Sequence, residues 1–353
     1  MTSTTPGRRT VGARIAQIGA TLCIAYIGGL LLTEFIVARF MPVYLHPSDY
    51  FDDYYIPDEE LGYVMKPGFR GHYVQDFEDT HAFNSNGLRD REYGPTPPGV
   101  YRILALGDSF TFGDGVRADQ TWSKQLEAAL VRRGIAAEVI NAGTSGYGTL
   151  QYAGMLRRLA PIYRPAMVIV MTTYNDPGND LATSHGIFPP LKVGQHPAKR
   201  WLKRHSHLSM RLWLAYLQLA VPKFSFSEAD HLYREAEAGG EAGERSRAGF
   251  GLFEAAVMEM IESSRRADRS ILFVSSSDAK HPFTRYVAEL CDHRQVQFVD
   301  VFARVSSGEV EVSMAGRNSA GHWSPEGHAE IGETLAIAIA GSLREAHLQP
   351  AER

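Results

Sequence analysis

The sequence predicts an α/β protein: a parallel sheet covered by helices on both faces. Two observations lead there. From residue 101 onward, short apolar runs alternate with stretches whose apolar residues recur at helical spacing, the pattern of strand–helix–strand crossovers. Several of the apolar runs also break off abruptly into polar, glycine-bearing segments, which in such sheets are the ligand-facing carboxyl ends.

The elements follow in order. Residues 15–33 (IAQIGATLCIAYIGGLLLT) are nineteen residues without a charge, and apolar character resumes after Glu34 through Val37. That is long enough to cross a bilayer. Arg8, Arg9 and Arg14 precede the run, while Asp49, Asp52, Asp53, Asp58, Glu59 and Glu60 follow it, so the positive-inside rule leaves residues 1–14 in the cytoplasm. An uncleaved anchor over residues 15–38 is the expectation, with a cleaved signal peptide or a buried core helix as rivals. Residues 39–100, rich in Asp, Tyr, Gly and Pro, read as a stalk and lead-in. The domain proper spans 101–345. Its strands are YRILALG, AEVINAG, AMVIVMTTY, SILFVSSS and VQFVDVF; its helices are WSKQLEAALVRR, LQYAGMLRRLAPIY, FEAAVMEMIESSRRA, TRYVAELCDHR and PEGHAEIGETLAIAIAGSLREA. A helical and loop insertion is expected at about 181–250, including EAEAGGEAGERSRAG (235–249) as a flexible surface loop.

Composition narrows the function. With 353 residues, 44% hydrophobic and 22% charged, the chain suits a folded globular protein. A formal net charge of −4 provides no basic field for a phosphate backbone, so nucleic acid is not an expected partner. Only Cys23 and Cys291 are present, which excludes a disulfide framework and a cysteine-based zinc site. His185, His281 and His293 lack metal-ligand spacing, and neither metal nor organic cofactor is expected.

The strand ends carry the chemistry. They read GDSFTFG, NAGTSGYG and TTYNDPGND, and GHWSPEGH precedes the last helix. Serine becomes a nucleophile only beside a base, and a tetrahedral intermediate needs donors around its oxyanion. Ser109, at a strand-to-helix turn, offers a hydroxyl and a backbone N–H. Gly146 offers an unobstructed N–H and Asn175 a neutral amide donor. His322 is a base of suitable pKa just ahead of a helix started by Ser324-Pro325-Glu326. Plainer roles compete: Ser109 or Asn175 as helix caps, Gly146 as one turn glycine among three, and His328 as a packed or capping histidine.

These residues resemble the SGNH or GDSL hydrolases. The likeness covers Asn84 to about Ala340, with NSNGLRD (84–90) similar to the stretch ahead of the catalytic domain in membrane-anchored bacterial members. It places Ser109 as the nucleophile, Gly146 and Asn175 with the Ser109 N–H in the oxyanion hole, and His322 as the general base, in the family's order. Asp108 and Asp176 become supporting residues. The implied fold is a flavodoxin-like three-layer α/β/α sandwich, preceded here by one transmembrane helix. The implied chemistry is ester hydrolysis or acyl transfer without a cofactor.

Two positions depart from the pattern. Ser319 and Ala320 stand where the family has an Asp that orients the histidine, and loss of that acid costs about 10⁴-fold in kcat in serine proteases. Asn318 or Ser319 is a substitute orienter. Thr173 replaces a glycine two residues before Asn175, which alters the pocket. The basic amphipathic stretch from Lys199 to Pro222 fits a membrane surface, an acidic glycan, or a lid over the sheet. The expected protein is therefore a membrane-anchored, extracytoplasmic serine esterase acting on an acylated carbohydrate or small ester. Alternatives are an O-acyltransferase of envelope polysaccharide machinery and a glycan-binding protein that lost its acid.

Overall fold

The computed structural model describes residues 7–43, 47–51, 53–74, 78–186, 197–220, 240–316 and 321–348. The chain divides into two compact units, Met1–Leu45 with Gly194–Lys223 and His46–Val193 with Phe224–Arg353.

The larger unit contains the parallel sheet. Strands β5 (Tyr101–Leu106), β6 (Ala137–Asn141), β7 (Met167–Thr172), β8 (Ser270–Ser275) and β9 (Gln297–Val299) lie in the order β6-β5-β7-β8-β9, all pairs parallel. Relabelled by their order within the sheet, this is 2-1-3-4-5, the flavodoxin-like order. The apolar runs are continuous because both sheet faces are buried. Ile103 and Ala105 of β5 face Trp122, Leu126 and Leu130 of the helix Trp122–Arg132 and Ile331 and Leu335 of the helix Pro325–Leu348. Leu104 and Leu106 point the other way, into the core shared by Tyr152 and Leu156 of Thr149–Tyr163 and Phe253 and Val257 of Gly240–Arg266. The result is a three-layer α/β/α sandwich.

Two expectations need correction. The stretch expected as a stalk folds into this unit from residue 47 on, as two antiparallel hairpins: β1 (Tyr55–Asp58) with β2 (Gly62–Met65), and β3 (Arg70–Val74) with β4 (Glu78–Ala82). Tyr54, Leu61, Tyr63, Phe69 and Phe83 are buried in the same core as Leu104 and Phe112. Aromatic side chains, spaced irregularly along short strands, supply the core that helical periodicity did not reveal. The tract 235–249 is not a loop throughout, because the helix Gly240–Arg266 takes in its second half. Ser246 is fully buried there, and Gly249 lies so close to Pro177 that a Cβ would sit 2.6 Å from its carbonyl oxygen. Residues 235–239 lie outside the described residues.

The smaller unit consists of the apolar helix Gly7–Phe40 and two helices of the insertion, Pro197–His205 and His207–Ala220. Of the apolar helix, Gly12–Phe40 has a mean hydropathy of 1.9 in its best window, none of it buried against protein. Glu34 is the acid within it. Its carboxylate accepts hydrogen bonds from Ser206 Oγ (2.7 Å), His207 N–H (2.6 Å) and Leu208 N–H (3.1 Å), capping the helix His207–Ala220. Arg211 donates to the carbonyls of Met41 and Pro42, both at 3.0 Å, and Val43 N–H donates to His207 Nδ1 at 3.0 Å.

Candidate active site

Ser109 opens a one-turn helix, Ser109–Phe112, three residues beyond the end of β5. Asp108, not Ser109, caps that turn: Phe110 N–H donates to its carboxylate at 3.0 Å. The serine hydroxyl is thereby left to another partner. His322 Nε2 lies 2.7 Å from Ser109 Oγ, although 213 residues separate the two. The histidine is held from both sides. Its carbonyl accepts from Gly316 N–H at 2.9 Å, while the Phe110 ring packs 4.9 Å from the imidazole and 4.7 Å from Trp323. Ser324, as expected, caps the last helix by accepting from Gly327 N–H at 3.0 Å.

The neighbouring strand ends complete the edge. After β6 the chain turns through residues 144–147, with Thr144 N–H donating to Gly107 O at 3.0 Å, and Gly146 adopts φ +84°, a left-handed conformation that favours glycine. Asn175 follows β7 and precedes the helix Asp176–Ser184, yet its side chain makes no cap bond. Its Oδ1 is buried without a hydrogen-bond partner among the described residues. The capping alternatives for Ser109 and Asn175 thus do not describe this structure. Because β6, β5 and β7 are adjacent, Ser109, Gly146 and Asn175 share one edge of the sheet, at the switch point where the strand order reverses.

Behind this edge lies a set of buried carboxyl groups. Burial pushes Asp108 up to about 6, against the opposing pull of the Phe110 N–H, His322 and the Thr173 hydroxyl. Asp176 is driven well above the usual carboxylate range by burial and by the neighbouring Asp108 and Asp180; it bonds Tyr152 OH at 2.7 Å and Thr173 N–H at 2.8 Å. Burial also pushes Asp180 up to about 7, and it receives Leu150 N–H at 2.8 Å and the Thr149 hydroxyl. Asp108 and Asp176 therefore brace turns.

Two residues stand out that the motifs did not single out. Asp114 Oδ2 is 3.9 Å from His322 Nε2, and Ser145 Oγ lies 3.0 and 3.1 Å from the two Asp114 carboxylate oxygens. The Asp114 N–H also donates to Ser109 O at 3.1 Å, which ties this carboxylate to the serine's own turn. Five residues after Ser109 and beyond Gly113, it folds back over one helical turn; that spacing was the available signal. The second residue is Arg89, in the lead-in NSNGLRD. Its guanidinium, almost fully buried, donates to the carbonyls of Phe112 (3.2 Å), Gly113 (2.8 Å) and Val116 (2.7 Å) and pairs with Asp79 at 2.5 Å. Gly87, at φ +74°, makes the turn before it; a Cβ there would lie 2.5 Å from Met65 O.

Two further histidines have structural partners. His328 is buried and accepts Trp122 N–H at 3.1 Å, and burial with the nearby His322 and Arg89 charges depresses it to about 3. His281 caps the helix Pro282–His293 through Phe283 N–H at 3.2 Å. The candidate orienters Asn318 and Ser319, with Ala320, lie outside the described residues. Among the described residues no group of three His, Cys, Asp or Glu side chains is placed to hold a metal ion.

Residues 105–220 match an acylhydrolase family model, and the protein is an ester-hydrolysing enzyme. The matching model is that of the GDSL-like lipase/acylhydrolase family. No curated protein matches the chain. Similar solved structures include a lipolytic protein of the G-D-S-L family from Desulfitobacterium hafniense DCB-2 (14% identity, TM-score 0.40, covering 67% of this chain and 98% of that one). A psychrotrophic esterase from Pseudoalteromonas sp. is similar at 13% identity and TM-score 0.41 over 69% of this chain and 99% of its own. So is an acetylxylan esterase mutant from Geobacillus stearothermophilus, at 14% identity and TM-score 0.40 over 68% and 94%.

Proposed function

We propose that the protein is a membrane-anchored serine esterase that removes an O-acyl group from a hydroxyl-rich substrate, such as a surface glycan, outside the cytoplasm. The 2.7 Å contact between Ser109 Oγ and His322 Nε2 carries this reading. Ser109 Oγ attacks the acyl carbon while its proton passes to Nε2, and the Ser109 and Gly146 N–H groups and the Asn175 amide receive the oxyanion. The imidazolium returns the proton to the departing alcohol; water, deprotonated by His322, then releases the acid.

Asp114 has a share in this reading. A carboxylate 3.9 Å from Nε2 favours the imidazolium at the moment it forms, which offsets part of the loss of the usual acid. It acts on charge and not on the ring's tautomer, because it faces the nitrogen that receives the proton. The same carboxylate is an acceptor for substrate hydroxyls and repels a carboxylate-bearing ligand, which supports a polyol ester. The apolar helix and the arginines before it support anchoring with the enzyme domain outside.

The test uses the full chain in detergent. Wild type is expected to take up a fluorophosphonate probe and to release p-nitrophenol from short-chain esters, and Ser109→Ala to do neither while keeping its melting temperature. Labelling that persists in Ser109→Ala would reject this serine as the nucleophile. Acyl transfer to added sugar in preference to water would assign the same acyl-enzyme to a transferase.

A further inference from the structure

The smaller unit contains a basic, aromatic segment. From Pro197 to Ala220 the chain has Lys199, Arg200, Lys203, Arg204 and Arg211 and not one acid. Trp201 is 59% exposed and stacks on His205 with ring centroids 4.8 Å apart; Leu202 and Leu212 are also exposed. Cations interspersed with Trp and Leu on a short helix are the composition of helices that lie in a membrane interface.

The apolar helix fixes the level at which this segment sits. At 1.5 Å per residue, residues 15–33 span about 28 Å, close to the roughly 30 Å hydrocarbon core. Glu34 then stands at the outer boundary of that core, and Phe35 to Phe40 rise about 9 Å further, through the headgroup layer. Ser206, His207 and Leu208 are bonded to Glu34, and Arg211 to Met41 and Pro42. The helix His207–Ala220 therefore begins at the boundary and passes the end of the apolar helix. Pro197–His205, joined to it through Ser206 alone, starts from the same level.

We propose that residues 197–220 form a second membrane contact, with the helix Pro197–His205 lying among the anionic headgroups of the bilayer that the apolar helix crosses and Glu34 holding it at that depth. This rests on the reading of residues 15–38 as a spanning anchor. The partner is the phospholipid surface itself: cations meet the lipid phosphates, and Trp201 and Leu202 enter the acyl boundary.

The experiment reconstitutes the full chain into vesicles of phosphatidylcholine with phosphatidylglycerol, using lipids brominated near the headgroup, and compares wild type with Trp201→Phe. The Trp201 share of the emission is expected to be quenched by more than about half, as for a ring 5–10 Å into the interface. Glu34→Ala should relieve that quenching. Replacing Lys199, Arg200, Lys203 and Arg204 together by Gln should remove the difference between these vesicles and neutral ones. A chain that resists carbonate extraction while Trp201 stays unquenched overturns this proposal and leaves the anchor standing. A chain that carbonate strips from the vesicles overturns both.

Discussion

His322 and His328 lie six residues apart, and their surroundings give them opposite work. His322 is at the rim, its Nε2 against Ser109 Oγ and within 3.9 Å of Asp114. His328 is sealed inside, accepts one backbone N–H from Trp122, and is depressed to about 3. The carboxyl groups divide in the same way: Asp114 faces the histidine that contacts Ser109, while Asp176 and Asp180 are buried where charge is disfavoured. Identity of side chain therefore says little about role here; a partner that stabilises charge, or burial that removes it, decides.

The largest expected effect breaks the rim member of the pair. His322→Ala should lower kcat by about 10⁴-fold or more, the scale of losing a triad residue, without changing the urea midpoint. A loss under tenfold would transfer the base role to another group. The interior member should show itself only in stability. Its folded pKa is depressed, so its contribution is present above about 6.5 and is lost as pH falls toward 3. His328→Asn retains an acceptor for Trp122 N–H and removes the titration. Urea midpoints measured from pH 7 to 4 should fall less steeply in the variant, and identical slopes would refute the assignment.

Asp180 sharpens the contrast with the opposite sign. Its folded pKa is raised to about 7, so the stability it contributes is complete below about 3.8 and is lost as pH rises through 7. Asp180→Asn should flatten the stability profile on that side, whereas an unchanged profile would mean that the carboxylate is already ionised in the folded protein. The smallest expected effect tests the rim carboxylate. Asp114→Asn should reduce kcat/KM by about 10- to 100-fold at neutral pH, with Asp114→Glu recovering part of the loss. An unchanged kcat/KM would show that Asp114 does not act on the His322 charge.

Much of this was legible in the sequence, for a definite reason. The five parallel strands announce themselves as apolar runs because both sheet faces are covered, and the segments with Ser109, Gly146 and Asn175 each follow a strand within a few residues, while that of His322 precedes the last helix. Local order along the chain was enough to put Ser109, Gly146 and Asn175 after strands and His322 ahead of the last helix. What escaped was carried by contacts distant in sequence. The hairpins at residues 55–82 are short and bury scattered tyrosines and phenylalanines, so no period marks them. Arg89 acts through three backbone carbonyls some 25 residues away, and carbonyls leave no trace in a side-chain motif. Asp114 was hidden in plain sight, since only the fold-back of the turn aims it at His322.

Arg89 also changes where the enzyme begins. The family match starts at residue 105 and the first sheet strand at Tyr101, and a domain trimmed to either boundary would contain every reactive residue of the motifs. It would lack the guanidinium that secures the chain just downstream of Ser109, the Asp79 that neutralises it, and the aromatic hairpins packed beneath Phe112. For expression, crystallisation or grafting, the indivisible catalytic piece therefore starts ahead of Tyr54, and half a hundred residues that look like a spacer belong to the scaffold of the reaction.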